Sequence, residues 1–217
     1  GWRDCPKIDE MITRILKAGL EEKIKGNWRL AAQVVAANMF NLQSRRRSVQ
    51  VAEVHYNLDN DMYAQMLGPT MSYTCAYFKG TQDLDRAQDN KHDLVCKKLG
   101  LKKGDQVLEL GCGWGGFAEF ACKNYGVTMT SINVSEAQVK YARERTKGLD
   151  ATFHLCDYRD TDAYNPEGTL FDKVVSIGMC EHVGHKNYDA LFGVAAAQLK
   201  DEGLFLLHTI GGNVVKN

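Results

Sequence analysis

The run Gly111-Cys112-Gly113-Trp114-Gly115-Gly116 follows the apolar stretch Val107-Leu108-Glu109-Leu110 and leads into a segment of helical composition. Glycines between a strand and a helix let the backbone turn sharply and approach a ligand closely, beside the positive N-terminal end of the helix. The spacing G-x-G-x-G-G departs from the G-x-G-x-x-G of dinucleotide sites. It favours the adenosyl and amino-acid parts of S-adenosylmethionine over a pyrophosphate, with a turn rich in glycine for packing alone as the competing reading. A dinucleotide site carries an acid for the ribose about 20 residues beyond the first glycine; here that place holds Asn133, followed by Val134-Ser135-Glu136-Ala137-Gln138. The Asn133 amide can still hydrogen-bond ribose hydroxyls, and Gln138 lies where it could share the task. Ser135 and Gln138 equally have the spacing of a helix capping box. Asp157-Tyr158 supplies a carboxylate to accept from the exocyclic amine of adenine and a ring to cover the base.

These residues need a scaffold, and the pattern of apolar runs supplies one. Runs at 106–111, 127–133, 151–156, 171–178 and 203–210 are separated by helical stretches at 116–124, 135–147 and 187–199. Strands apolar throughout and alternating with helices predict an α/β fold, a doubly wound parallel sheet covered on both faces. Upstream, Leu84, Ala87, Lys91, Leu94, Val95 and Leu99 fall on or near one face of a helix over 84–99. Residues 51–78 are aromatic and rich in Asn and Asp, without a clean period. Tyr56, Tyr63, Tyr73, Tyr77 and Phe78 are too close together for a solvated linker, so this stretch reads as a packed cover with a bend at Gly68-Pro69. Ile8, Met11, Ile12, Ile15, Leu16 and Leu20 lie on one helix face that Gly19 is placed to end, and a second helix is expected at about 30–42. The predicted division is a small helical module at 1–50, a cover segment and helix at 51–105, and a ligand-binding α/β domain at 106–217.

Composition bounds what partners to expect. Of 217 residues, 44% are hydrophobic and 25% charged, the proportions of an ordinary globular chain. Lys plus Arg equals Asp plus Glu at 27 each, so no global field points to nucleic acid. Residues 1–50 nevertheless hold ten Lys/Arg against five Asp/Glu, including Arg45-Arg46-Arg47. That surplus points to an anionic surface such as phospholipid head groups, with a solvated helix end as the alternative. Seven cysteines without a C-x-x-C pair suggest a reducing compartment, no structural disulfides and no cysteine-based metal site. No stretch reaches the roughly 18 apolar residues of a membrane span, and no charged-then-apolar leader opens the chain at Gly1.

Seven segments taken in order resemble one family across nearly the whole chain: HYNLDNDMY, MSYTCAYF, LELGCGWGG, NVSEAQ, DYRD, SIGMCEHVGHKNY and GLFLLHTIGG. They are similar to the cyclopropane-fatty-acyl-phospholipid synthases, with the mycolic acid cyclopropane synthases as relatives. The module at 1–50 resembles the N-terminal domain of the phospholipid-acting branch. The resemblance implies a class I methyltransferase, Rossmann-like, using S-adenosylmethionine and a bound bicarbonate ion as base. It implies transfer of the methyl group to a cis double bond of a phospholipid acyl chain at the membrane surface, then proton loss and ring closure. Carried over by motif, the bicarbonate contacts fall on Cys75, Glu181, His208 and Ile210. Donor binding falls on Tyr73, Thr74, Gly111, Cys112, Gly113, Gly115, Asn133, Val134, Gln138, Tyr158 and Ile177, and Glu109 and Asp157 are further donor-binding candidates.

The chemistry fits those residue types. An alkene is a poor nucleophile, so the need is to hold the sulfonium methyl in line and to shelter a cation, which aromatic faces can do. Glu181 follows the fourth strand and His208 ends the fifth, at the carboxyl edge where such sheets bind ligands. The chain departs from the family in Thr74, where Ser is usual, and in Gly68-Pro69, where Leu-Asp is usual. It also reaches Asn217 shortly after the fifth strand of a sheet type that has seven, which reads as an N-terminal portion lacking the C-terminal strands. The expected setting is cytoplasmic and peripherally membrane-associated, with a homodimer left open. A related small-molecule N-methyltransferase and a donor-binding piece without turnover are the alternatives.

Overall fold

The computed structural model describes residues 7–18 and 60–211. The chain divides into two compact units, residues 1–42 and 43–217. In the first, α1 (Ile8–Lys17) has Asp9 and Glu10 in its first turn and Arg14 and Lys17 in its last, the polarity that a helix dipole favours. The second helix expected at 30–42, the arginines at 45–47 and Tyr56 lie outside the described residues.

The second unit opens with α2 (Asn60–Leu67) and α3 (Leu84–Leu99). There follow β1 (Gln106–Leu110), α4 (Gly116–Tyr125), β2 (Thr128–Asn133), α5 (Glu136–Arg145) and β3 (Ala151–Leu155). The chain continues through α6 (Thr161–Tyr164), β4 (Phe171–Ile177), α7 (Cys180–Val183), a 3-10 turn at His185–Asn187, α8 (Tyr188–Ala197) and β5 (Leu199–His208). The strands form one parallel sheet in the order β3-β2-β1-β4-β5. The doubly wound reading of the apolar runs therefore holds.

Alternation along the strands splits the core into two layers. Val107, Met129, Phe153 and Val175 face one layer with Val95 and Leu99 of α3, Phe117 of α4 and Val139 of α5. Leu108, Leu110, Ile132 and Val174 face the other, with Tyr164 of α6, Val183 of α7 and Leu191 of α8. Each fully buried Leu or Val contributes about 1.5–3 kcal/mol relative to exposure. Such a two-sided core is why these strands read as continuous apolar runs rather than as alternating ones.

Three local features differ from the sequence reading. Helix α2 lies inside the aromatic stretch, and within that helix only Tyr63 and Leu67, four residues apart, are buried. Strand β5 starts at Leu199, not near 203; its polar opening Lys200-Asp201-Glu202 is exposed, and the pairing with β4 shifts register between Phe171 and Lys173. The bend at Gly68-Pro69 is present, with Gly68 at φ +68° and the Met71 N–H donating to the Gly68 carbonyl at 3.1 Å. Met71 itself sits at φ +49°, alone among described non-glycine residues in the left-handed region. The strain falls two residues before Tyr73, Thr74 and Cys75.

Candidate active site

From β1 the chain winds one way to β2 and β3, then crosses back to place β4 on the other side of β1. A crevice opens at such a reversal, outside the carboxyl ends of the strands. A cavity of about 810 Å³ lies there, a size that suits a cofactor. All the residues expected to bind the donor or the bicarbonate line it except Gly115. Gly115 is the N-cap of α4, at φ +79°, and a Cβ there would stand 2.9 Å from the Cβ of Ala142. Its glycine therefore serves helix packing. Gly113, at φ +51°, lines the cavity, and a Cβ on it would meet no protein atom within 4 Å. The backbone there is bare toward open space.

Around this loop the polar groups are already organised. Asn133 donates to Gln138 Oε1 at 2.8 Å and its Oδ1 accepts from the N–H groups of Val134 and Ser135 at 2.8 and 3.3 Å. Ser135 Oγ caps α5 through the Gln138 N–H at 3.4 Å, so one half of the capping box forms. The Gln138 side chain turns instead to Asn133, and the pair faces the cavity as a unit. Glu109, 2% exposed, accepts from Ser131 Oγ at 2.8 Å. Burial pushes its carboxyl up to about 7, against the Ser131 hydrogen bond. The Cys112 thiol is raised well above its ordinary value by burial, which makes it inert wall rather than nucleophile. Asp157 is gripped by Arg159 through two side-chain bonds of 2.6 and 2.7 Å, and the same guanidinium lies 5.1 Å from the Tyr158 ring centroid. The carboxylate expected to meet adenine is thus fixed by a neighbour two residues on.

The four residues expected at the base come together as two pairs. Cys75 Sγ and His208 Nε2 stand 3.5 Å apart, joining the cover segment to the end of β5. Glu181, at the start of α7, accepts from the Ile210 N–H at 2.8 Å. Burial opposes its ionisation, but hydrogen bonds from its own N–H, the Ile210 N–H and the Thr209 side chain hold its carboxyl below the usual range. His208 is lowered by burial and by the nearby Lys91, and its Nδ1 is buried without a hydrogen-bond partner. A neutral imidazole and an ionised carboxylate therefore share one wall. Of the aromatic candidates, Tyr63 packs on Trp114 at 4.8 Å between centroids and is core, whereas Tyr73 is exposed and lines the cavity.

Sequence reasoning missed the helix α3 contribution. Gln88 Nε2 donates to the Thr74 carbonyl at 2.9 Å, Lys91 Nζ to Thr74 Oγ1 at 2.8 Å, and His92 Nε2 lies 3.2 Å from Ser72 Oγ. All three line the cavity, and all are buried. Burial holds His92 neutral, down to about 3, with Lys91 and Arg145 adding to the effect. The available signal was three polar residues at i, i+3 and i+4 on the stripe of a helix that otherwise faces the core.

Comparison with known proteins identifies the family and the fold. The family model described as mycolic acid cyclopropane synthetase matches residues 43–217. The chain is 45% identical over 211 residues to the cyclopropane-fatty-acyl-phospholipid synthase of Escherichia coli K12, covering 97% of this chain and 54% of that protein. It therefore spans about half the length of the curated relatives it matches. The crystal structure of mycolic acid cyclopropane synthase CmaA1 complexed with SAH and CTAB superposes with a TM-score of 0.68 at 33% identity, covering 73% of this chain and 55% of that one. Coclaurine N-methyltransferase, at 21% identity and a TM-score of 0.70 over 91% of this chain and 59% of that one, shares the fold alone. The sheet is that of class I S-adenosylmethionine-dependent methyltransferases, and the chain belongs to the mycolic acid cyclopropane synthetase family.

Proposed function

We propose that this chain is the donor-binding and catalytic part of an enzyme that transfers a methylene group from S-adenosylmethionine to the cis double bond of an unsaturated phospholipid acyl chain, forming a cyclopropane ring. The observation that carries the reading is the convergence on one cavity of the glycine loop, the Asn133–Gln138 pair, Tyr158, and the Cys75–His208 and Glu181–Ile210 pairs. When bound, S-adenosylmethionine supplies an electrophilic methyl group, and bicarbonate supplies a base that is itself small and poorly methylated.

The residues account for the rest. The bare backbone at Gly113 receives the amino-acid end of the donor, and Asn133, its amide engaged by Gln138, Gly113, Val134 and Ser135, holds Gln138 to present its amide to the ribose. Tyr158 walls the base. Glu109, poised near neutrality by burial, ionises beside a cationic ammonium, since an opposite charge favours the charged form. Glu181, its carboxyl held ionised, would hold the bicarbonate together with His208, whose Nδ1 is unpartnered, and Cys75, and the ion would supply the base that takes the acyl proton. The ring of Tyr73 faces the cavity and stabilises a cation through its π face.

No helix among the described residues is long and apolar enough to cross a membrane. A substrate embedded in a bilayer calls for contact at its surface, and the basic N-terminal stretch suits anionic head groups. The test is incubation with labelled S-adenosylmethionine and vesicles of unsaturated phospholipid, for this chain and for one extended to the length of its relatives. Label in cyclopropane acyl chains of the extended protein is expected. Label that passes to small amines and never to lipid overturns the reading.

A further inference from the structure

Lys91 is 4% exposed and sits on the cavity wall. Its ammonium has three donor hydrogens, and among the described residues it makes one hydrogen bond, to Thr74 Oγ1 at 2.8 Å. No carboxylate of the described residues pairs with it. A buried cation is costly unless paired and hydrogen-bonded, so a lone one at a cavity wall is a place kept for an anion. Burial draws its pKa down to about 8, with the nearby Cys75 resisting.

The geometry around Thr74 says what the anion meets. An ammonium can only donate, so Thr74 Oγ1 accepts from Lys91 and its own O–H proton must go to another acceptor. The threonine is packed and hydrogen-bonded in place. Its Cγ2 lies 2.5 Å from where a Cβ on Gly178 would stand, and its carbonyl is held by Gln88. One face of the cavity thus offers a fixed hydroxyl donor backed by a positive charge, one residue before Cys75. Two donors beside each other, one of them cationic, match the two oxygens of a carboxylate.

We propose that Lys91, with the Thr74 hydroxyl, is the cationic point of the cavity that receives a carboxylate-type anion, either the α-carboxylate of S-adenosylmethionine or a free bicarbonate ion. The proposal rests on the functional reading above and adds to it a buried cation from helix α3, outside the motifs.

Calorimetric titration of wild type, Lys91→Met and Lys91→Gln with S-adenosylhomocysteine, 5′-methylthioadenosine and sodium bicarbonate tests it. Methylthioadenosine carries no amino-acid portion, so its affinity should stay within twofold in every variant. Loss of tenfold or more toward S-adenosylhomocysteine alone assigns the α-carboxylate as the anion. The same loss toward bicarbonate alone assigns the free ion. Gln can still donate to Thr74 without charge; full recovery of affinity in Lys91→Gln would mean a peg for Thr74 and overturn the proposal. So does a stable Lys91→Met protein with every affinity within twofold of wild type. Failure of both variants to fold also contradicts it, because removing an unpaired buried charge should raise thermal stability. If wild type binds neither adenosyl ligand, the functional reading fails separately, and the bicarbonate titration still decides the role of Lys91. No binding of any carboxylate overturns both.

Discussion

At the residue scale the site is a set of ionisable groups moved from their ordinary behaviour by burial. Glu109 is the sharpest case, because among the described residues only the Ser131 hydroxyl donates a hydrogen bond to its carboxyl. In the folded chain its pKa is raised to about 7 from 4.5. Between those values the folded state keeps a proton that the unfolded state has released, so stability falls as pH rises through that window. The contribution is about 3 kcal/mol across the whole window, fully present below pH 4.5 and lost above 7. Glu109→Gln removes the titration while keeping the shape. Denaturant unfolding of the ligand-free protein should show the wild type losing stability from pH 5 to 7 relative to the variant. A constant difference between the two across that range would mean that Glu109 is ionised throughout and that the proton-linked role given to it is wrong.

At the element scale, the segment from Thr70 to Cys75 is held by neighbours rather than by any structure of its own. Helix α3 grips it through Gln88, Lys91 and His92, and Arg145 at the end of α5 donates to the Thr70 carbonyl at 3.1 Å. Helix α4 begins so close beneath it that a Cβ on Gly116 would stand 2.5 Å from that carbonyl oxygen. Backbone cannot swing aside as a side chain can. Gly116→Ala is therefore expected to cost about 1–3 kcal/mol and to weaken donor binding by displacing Tyr73 and Thr74. Gly193 in α8 is the contrast: a Cβ there meets nothing within 4 Å, and Ala should add roughly 0.5–1 kcal/mol through helix propensity. Thermal unfolding of the two variants reads both signs. The strands were legible in the sequence because burial on both faces leaves apolar runs that need no partner to be recognised. The clamp was not. Lys91 sits on a stripe that explains itself as core, and the Arg159 grip on Asp157 depends on a turn that no spacing reveals. Helix α2 was hidden by having only two buried residues, and the first half of β5 by the polar side chains of its exposed opening.

At the scale of the whole molecule, binding and surface attraction fall in different stretches of the chain. Every described residue lining the cavity lies between Leu67 and Ile210, inside the unit that spans residues 43–217. The basic surplus lies in the first 50 residues, and three of its charges, Arg45, Arg46 and Arg47, belong to the same unit as the cavity. Deleting residues 1–42 should then leave the dissociation constant for S-adenosylhomocysteine within twofold of wild type. Replacing Arg45, Arg46 and Arg47 together by Gln should also spare it. Attraction to an anionic bilayer is worth about 1 kcal/mol for each basic residue near the surface and fades within a Debye length of about 10 Å at 0.1 M salt. The triple replacement is accordingly expected to weaken sedimentation with anionic vesicles by tenfold or more at low salt, while the deletion retains most of it. Raising the salt to about 1 M should bring wild type down to the level of the triple variant. Unchanged vesicle binding in that variant would exclude the arginines as the membrane contact. A folded 43–217 chain whose donor affinity fell tenfold would mean that residues before 43 contribute to the cavity, and the separation of binding from surface attraction would have to be abandoned.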